Sequence, residues 1–222
     1  MQFLIKIGYL IPFIVVRKDP DKNAYLVHIS GTDLFALLPK THAAQDYKIG
    51  DSGWAAVFQV KGATIFLSQK SPQYIRKILE YFFRDILTNY GLQIKKVAIF
   101  QNLFKILIKT DRQYTNKELN EIFHAYIKNS DEIKKYFPEG KFVFVRYKPD
   151  IEDLIASLLV FEEKISRVIY FRSLGQATVY TENGSVGILV GEKGKNLITA
   201  KKILQSLVGN IDIEIKSSQG GT

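Results

Sequence analysis

From Ser71 to Lys216 the sequence runs twice through one order of elements: helix, strand, strand, helix, helix, strand. The first pass opens on "SPQYIRKILEYFFRDILTNYG", with Ser71 as a candidate cap and Pro72 at the first helical position. Apolar residues at 75, 78, 79, 82, 83, 86 and 87 follow helical spacing, and Gly91 closes the segment. Strands are expected at "LQIKKVAIF" and "LFKILIKT" around a "QN" turn, helices at "NKELNEIFHAYIKN" and "DEIKKYF", and a strand at "KFVFVRY". The second pass reads as a helix "DIEDLIASLLVFEEK" capped by Asp150, then strands "ISRVIYFRS" and "QATVYTEN". A short helix "SVGILV", a longer one "KNLITAKKILQSLVG" and a strand "IDIEIK" complete it, and "SSQGGT" reads as a frayed tail. Two units of roughly 70–80 residues with one element order and little identity point to an internal duplication of a small α/β unit.

The first 69 residues follow a different rhythm and read as all-β. Apolar-rich segments at Phe3–Arg17, Asn23–Ser30, Leu34–Pro39, Trp54–Lys61 and Ala63–Gln69 are separated by turn chemistry: "KDPDKN", "SGT", "KIGDSG" and Gly62. Five short strands with a glycine-rich rim suggest a small barrel of the OB type, whose outer face commonly binds single strands. A small β-sandwich with no nucleic-acid role is the other reading. The expected organisation is therefore multidomain: a barrel over 1–69, then α/β domains over 70–150 and 151–222.

Composition narrows the partners. The chain has 222 residues, no cysteine and 46% hydrophobic residues, so it can bury cores without disulfides or cysteine-based zinc sites. No run reaches the ~18 apolar residues of a membrane span, and "MQFLIKIGYLIPFIVV" lacks a basic region ahead of its apolar stretch. A soluble, cytoplasmic protein with no membrane partner is expected. The net charge of +9 suits a polyanion, but the excess is spread along the chain. Residues 1–69 hold 7 basic and 5 acidic groups, 70–160 hold 16 and 11, and 161–222 hold 8 and 6. The carboxylates are scattered, His28, His42 and His124 lack ligand spacing, and no serine sits in a nucleophile motif. No enzyme, cofactor or metal site is expected.

The sharpest local signal is "ILVGEKGKN", Ile188 to Asn196, between the two late helices of the second unit. Gly191 and Gly194 would admit a phosphodiester close to the main chain, where a Cβ would intrude. The helix that follows offers free N–H groups and its positive end to phosphate. Glu192, Lys193, Lys195 and Asn196 complete the loop, with the two lysines as phosphate contacts. Ile188, Val190 and Leu197 are candidates for an aliphatic wall beneath the bases. A nucleotide-binding P-loop is excluded, because Leu189 stands where its first glycine would fall and Asn196 replaces the magnesium-binding hydroxyl. In the barrel, Tyr25 and His28 are candidate stacking residues, with Arg17 and Lys18 as nearby cations. Tyr25 and His28 are three apart, so a regular strand puts them on opposite faces. Trp54 and Phe58 share a face by spacing and read as core.

A Gly-x-x-Gly between two helices of such a unit resembles a KH domain, whose loop clamps about four nucleotides by the backbone. The whole chain, from about residue 3 to 216, resembles the RNA-binding core of the NusA family of bacterial transcription factors. "ALLPKTHAAQDYKIGD" is similar to the family's "A-x-LP" strand and "Y-x-x-GD" segment, and "IFLSQKSPQYIRKILE" to its "LSR-x-x-P" junction. "ILVGEKGKNLITAKKIL" is similar to its "AIGxxGQNVRLA" loop and helix. The resemblance implies an S1 barrel followed by two type II KH domains that bind single-stranded RNA. It also implies a role in transcription elongation, pausing, termination or antitermination, with RNA polymerase or other transcription factors as partners. Two departures stand out. The first α/β unit has Lys128-Asn129-Ser130-Asp131 where the family carries Gly-x-x-Gly, leaving Arg146 and Lys148 as its basic candidates. The sequence also has no room before the barrel for the family's polymerase-contacting domain. The alternatives are an S1–KH subunit of an RNA-degrading or ribosome-assembly complex, and a protein–protein scaffold.

Overall fold

The computed structural model describes residues 5–137 and 139–218. The start of the expected strand Phe3–Arg17 and the last four residues of the expected tail lie outside the described residues. The chain divides into two compact units, one ending at Phe82 and the other beginning at Phe83.

In the first unit, β1 (Leu10–Asp19), β2 (Ala24–Ile29), β3 (Phe35–Pro39), β4 (Ser52–Lys61) and β5 (Thr64–Ser68) form a closed barrel of order β1-β2-β3-β5-β4. The β1–β4 pairing closes the ring, and β3 runs parallel to β5. This is an OB-like barrel. Its interior is filled by alternate residues, among them Phe13, Val15, Tyr25, Val27, Leu38, Tyr47, Val57 and Leu67. Tyr47 packs edge-on against Phe13 and Tyr25, and its hydroxyl pairs with the buried Gln69 amide. Gln69 also donates to Trp54 O at 2.9 Å and accepts from Ala44 N at 2.9 Å, which locks the segment before β4 to the end of β5. The sequence placed Trp54 in the core; it is instead 53% exposed, because it pairs with Pro12 on the outward side of β1. The unit ends with α1 (Pro72–Phe82), and Ser71 caps it by accepting from Tyr74 N at 3.2 Å.

The second unit holds both α/β repeats. The first comprises α2 (Arg84–Tyr90), β6 (Leu92–Phe100), β7 (Leu103–Thr110), α3 (Asn116–Asn129), α4 (Asp131–Tyr136) and β8 (Lys141–Arg146). The second comprises α5 (Ile151–Leu158), β9 (Ile165–Phe171), β10 (Gln176–Thr181), α6 (Val186–Val190), α7 (Lys195–Val208) and β11 (Asp212–Ser217). The two sheets have one topology. β6 is antiparallel to β7 and β8 parallel to it, as β9 is antiparallel to β10 and β11 parallel to it.

One helix in each repeat starts where side chains satisfy its free N–H groups. Thr115 and Glu118 form a reciprocal capping box on α3, and Asp150 accepts from Glu152 N and Asp153 N on α5. Two expected helices are shorter than their periodicity suggests. The stretch over 72–90 breaks at Phe83, whose buried ring packs with Phe123 and Phe144. The stretch over 150–164 stops at Leu158, and Val160 takes a left-handed φ of 77°.

The repeats share a core. One face of the first sheet packs Ile106, Ile108 and Phe144 towards α3, where Phe123 stacks on Phe144 with ring centroids 4.0 Å apart. Its other face contributes Ala98, Leu107 and Val145 to a cluster with Leu154, Leu158, Leu189, Ala200, Ile203 and Ile213 of the second repeat. A sheet covered on both sides explains why β7 is buried at four consecutive positions. Among the described residues no helix is long and apolar enough to cross a membrane.

Candidate nucleic-acid interface

The loop between α6 and α7 follows from three residues with positive φ. Gly191, Lys193 and Gly194 sit at 76°, 53° and 74°. A lysine held in this region is strained, and such outliers gather at binding sites. Gly194 N–H donates to Gly191 O at 2.9 Å, and Lys195 N–H to Glu192 O, so the loop is a closed turn. Lys193 and Glu192 are exposed. α7 starts with no side-chain cap, so its positive end lies beside Lys193 uncovered by a side chain.

The other candidates around the loop divide. Ile188 is 48% exposed beside it, whereas Leu197 packs against the shared core and Val190 is half-buried. Lys195 was expected to face phosphate, but its side chain is only 15% exposed, 3.6 Å from Glu192 and 3.5 Å from Asn102 Oδ1. Asn196 was expected as a free polar contact. Its amide instead donates to Leu159 O at 2.8 Å and Leu189 O at 2.7 Å, and its Oδ1 accepts from Lys105. Gly191 is needed first for this packing, since a Cβ there would lie 2.8 Å from Asn196 Cβ. Lys202 donates to Ile99 O at 2.7 Å on the first repeat, and Lys201 pairs with Asp212 at 2.7 Å.

In the first repeat the corresponding junction has no such loop. Ser130 ends α3 and caps α4 directly, and Asp131 points its carboxylate at Lys134. Arg146 and Lys148 line a separate cavity of about 590 Å³ with Lys117, Tyr114, Phe161 and Glu162. The Arg146 guanidinium donates to Tyr114 O and Gln113 Oε1 and has no carboxylate partner among the described residues.

On the barrel, cross-strand pairing assembles an outward row. Ile14 pairs with His28 and with Ser52, and His28 pairs with Phe35. The His28 and Phe35 rings are 5.3 Å apart, Phe35 is 53% exposed and Ile14 40%. Arg17 joins this face opposite Leu26, because a bulge at Val16 resets the alternation. Tyr25 was expected as a stacking platform; it is 1% exposed and points into the barrel, as its parity opposite to His28 requires. Lys18 goes with it, 5.8 Å from the Tyr25 ring and 3.7 Å from Asp46. Burial, and then the hydrogen bond it donates to Asp46, raises the Tyr25 hydroxyl above its usual range, while that bond and Lys18 hold the Asp46 carboxyl below its own. Phe35 and Ile14 were missed, although the pairing of Phe35 with His28 follows from a tight turn at "SGT".

No protein-family model matches the sequence, and no curated protein compared with it matches. Among solved structures, the crystal structure of APE1850 aligns with 61% of this chain and 96% of its own length, at 18% identity and a TM-score of 0.44. A multidomain protein with nucleic acid binding domains from Streptococcus pneumoniae TIGR4 aligns with 61% of this chain, at 13% identity and a TM-score of 0.26. That alignment spans 44% of the streptococcal chain.

Proposed function

We propose that the chain is a non-enzymatic, single-stranded RNA-binding protein of the NusA type, an S1-like barrel followed by two type II KH units. The observation that carries this reading is the Gly191–Gly194 turn, which presents Lys193 and an exposed Ile188 at the uncapped start of a 14-residue helix. A phosphodiester lying on that turn meets a positive helix end and one ammonium, and an adjoining base meets aliphatic surface. The His28–Phe35–Ile14 row, flanked by Arg17, is a second stacking surface suited to unpaired bases. The first KH unit, with Ser130 in place of a glycine loop, serves as a support. Binding of nascent RNA during transcription is the role the family resemblance favours, with RNA polymerase as the partner to test.

The test is fluorescence anisotropy with labelled single-stranded RNA across a salt series. The parent should weaken as salt rises, and Glu192→Asp with Lys193→Asp should bind at least about tenfold more weakly and with a shallower slope, as loss of a phosphate contact requires. Phe35→Ala should weaken binding without changing the slope, since stacking carries no counterion release. Equal binding by the parent and the loop variant would move the site away from residues 191–194.

A further inference from the structure

Lys105 is fully buried on β7, the central strand of the first repeat, and makes no ion pair among the described residues. Its ammonium has three hydrogens and three acceptors, all in the second repeat: Leu158 O at 2.6 Å, Asn196 O at 2.8 Å and Asn196 Oδ1 at 2.5 Å. Asn196 uses its two amide hydrogens on Leu159 O and Leu189 O. Lysine and asparagine together therefore satisfy main-chain carbonyls at the ends of α5 and α6 and hold them against the first turn of α7. Helix C-termini carry partial negative charge, which favours the ammonium there. The Gly191–Gly194 turn is attached to the same asparagine, because Gly191 packs onto Asn196 too closely for any Cβ. Burial in surroundings without a counter-charge disfavours the protonated amine. A hydrophobic residue would fill this space without that cost, so the contacts the lysine makes are its distinguishing contribution.

We propose that Lys105 is a positioning residue for the Gly191–Gly194 turn, through which the first repeat, itself lacking such a turn, sets the shape of the RNA clamp in the second. The affinity part of this rests on the RNA-binding reading above; the part concerning loop shape does not.

The experiment compares the full chain with Lys105→Met by hydrogen–deuterium exchange and by the same anisotropy assay. In the parent, the Gly194 and Lys195 amides should be protected. In Lys105→Met, exchange across residues 191–197 should quicken about tenfold while the β9–β10 ladder is unchanged, and RNA affinity should fall by about tenfold. In the background carrying Glu192→Asp and Lys193→Asp, the same substitution should cost little further affinity, since the clamp is already lost. Unchanged exchange in a folded variant overturns the proposal, as does faster exchange with unchanged RNA affinity. If Lys105→Met does not fold, Asn196→Ala and the parent decide. Parent loop amides that exchange as fast as the exposed Gly31 and Asp33 amides, or an Asn196→Ala loop as protected as the parent's, overturn it. A parent that binds no RNA removes the function proposed above, and the exchange results still judge the positioning role.

Discussion

Gly191 and Gly187 stand four residues apart, and a methyl group would meet opposite fates at the two. At Gly191 the backbone is left-handed and the new Cβ would press on Asn196; at Gly187, inside α6, nothing lies within 4 Å. Gly191→Ala should cost about 1–3 kcal/mol from backbone strain alone, whereas Gly187→Ala should be neutral or add about 0.5–1 kcal/mol from helix propensity. Denaturant unfolding of the full chain checks both. The sequence made Gly191 conspicuous but did not point to its neighbour within the fold. Its spacing in "GEKG" advertises room for a phosphodiester, whereas the close contact is with a side chain five residues on. Tyr25 and His28 show the reverse. Their odd separation was enough to say that they face opposite ways, and only the closed barrel says which way is in.

At the scale of elements, caps were legible because they are local. Ser71 and Asp150 act where their sequence context put them, and the Thr115–Glu118 capping box could have been read in the same way. What stops a helix was less legible. At the end of α5, Lys105 takes the carbonyl of Leu158 and Asn196 that of Leu159 just beyond it, partners 53 and 37 residues away. The alternation of β7 also misleads, since "LFKILIKT" is apolar on both parities and its lysine at 105 reads as solvent-facing. β2 supports a prediction about pH. The Tyr25 hydroxyl is raised from its ordinary 10.0, so the stability from its bond to Asp46 is full below that value and is lost as pH climbs through the folded pKa. Asp46 is lowered from 3.8, so its share is present above that value and lost as pH falls through the folded one. Thermal melts of the parent should fall off at both extremes, and Tyr25→Phe should flatten both limbs.

For the whole molecule, the duplication was plain in the order of elements, but the independence of its halves was not. Ala98, Leu107 and Val145 of the first repeat lie in one cluster with Leu154, Leu158 and Ala200 of the second. A fragment of residues 83–222 should therefore melt cooperatively, whereas residues 151–222 alone should lack a cooperative transition and bind hydrophobic dyes. Circular dichroism melts of the two fragments distinguish these outcomes. The boundary near residue 150 was drawn from a repeat in sequence. Apolar surface crosses it, because α7 packs against β6 and β7 of the first repeat.

The link between Lys105 and Asn196 also bears on descent. Two positions 91 residues apart that satisfy each other's hydrogen bonds form one heritable character, and neither can drift alone without orphaning the other. Relatives that replace the lysine with a hydrocarbon should also have exchanged the asparagine for another side chain, while glycine stays at position 191, since a Cβ there meets the Cβ and main chain of residue 196 whatever that side chain is. Covariation of the columns at 105 and 196 would mark when the first repeat became a brace for its twin.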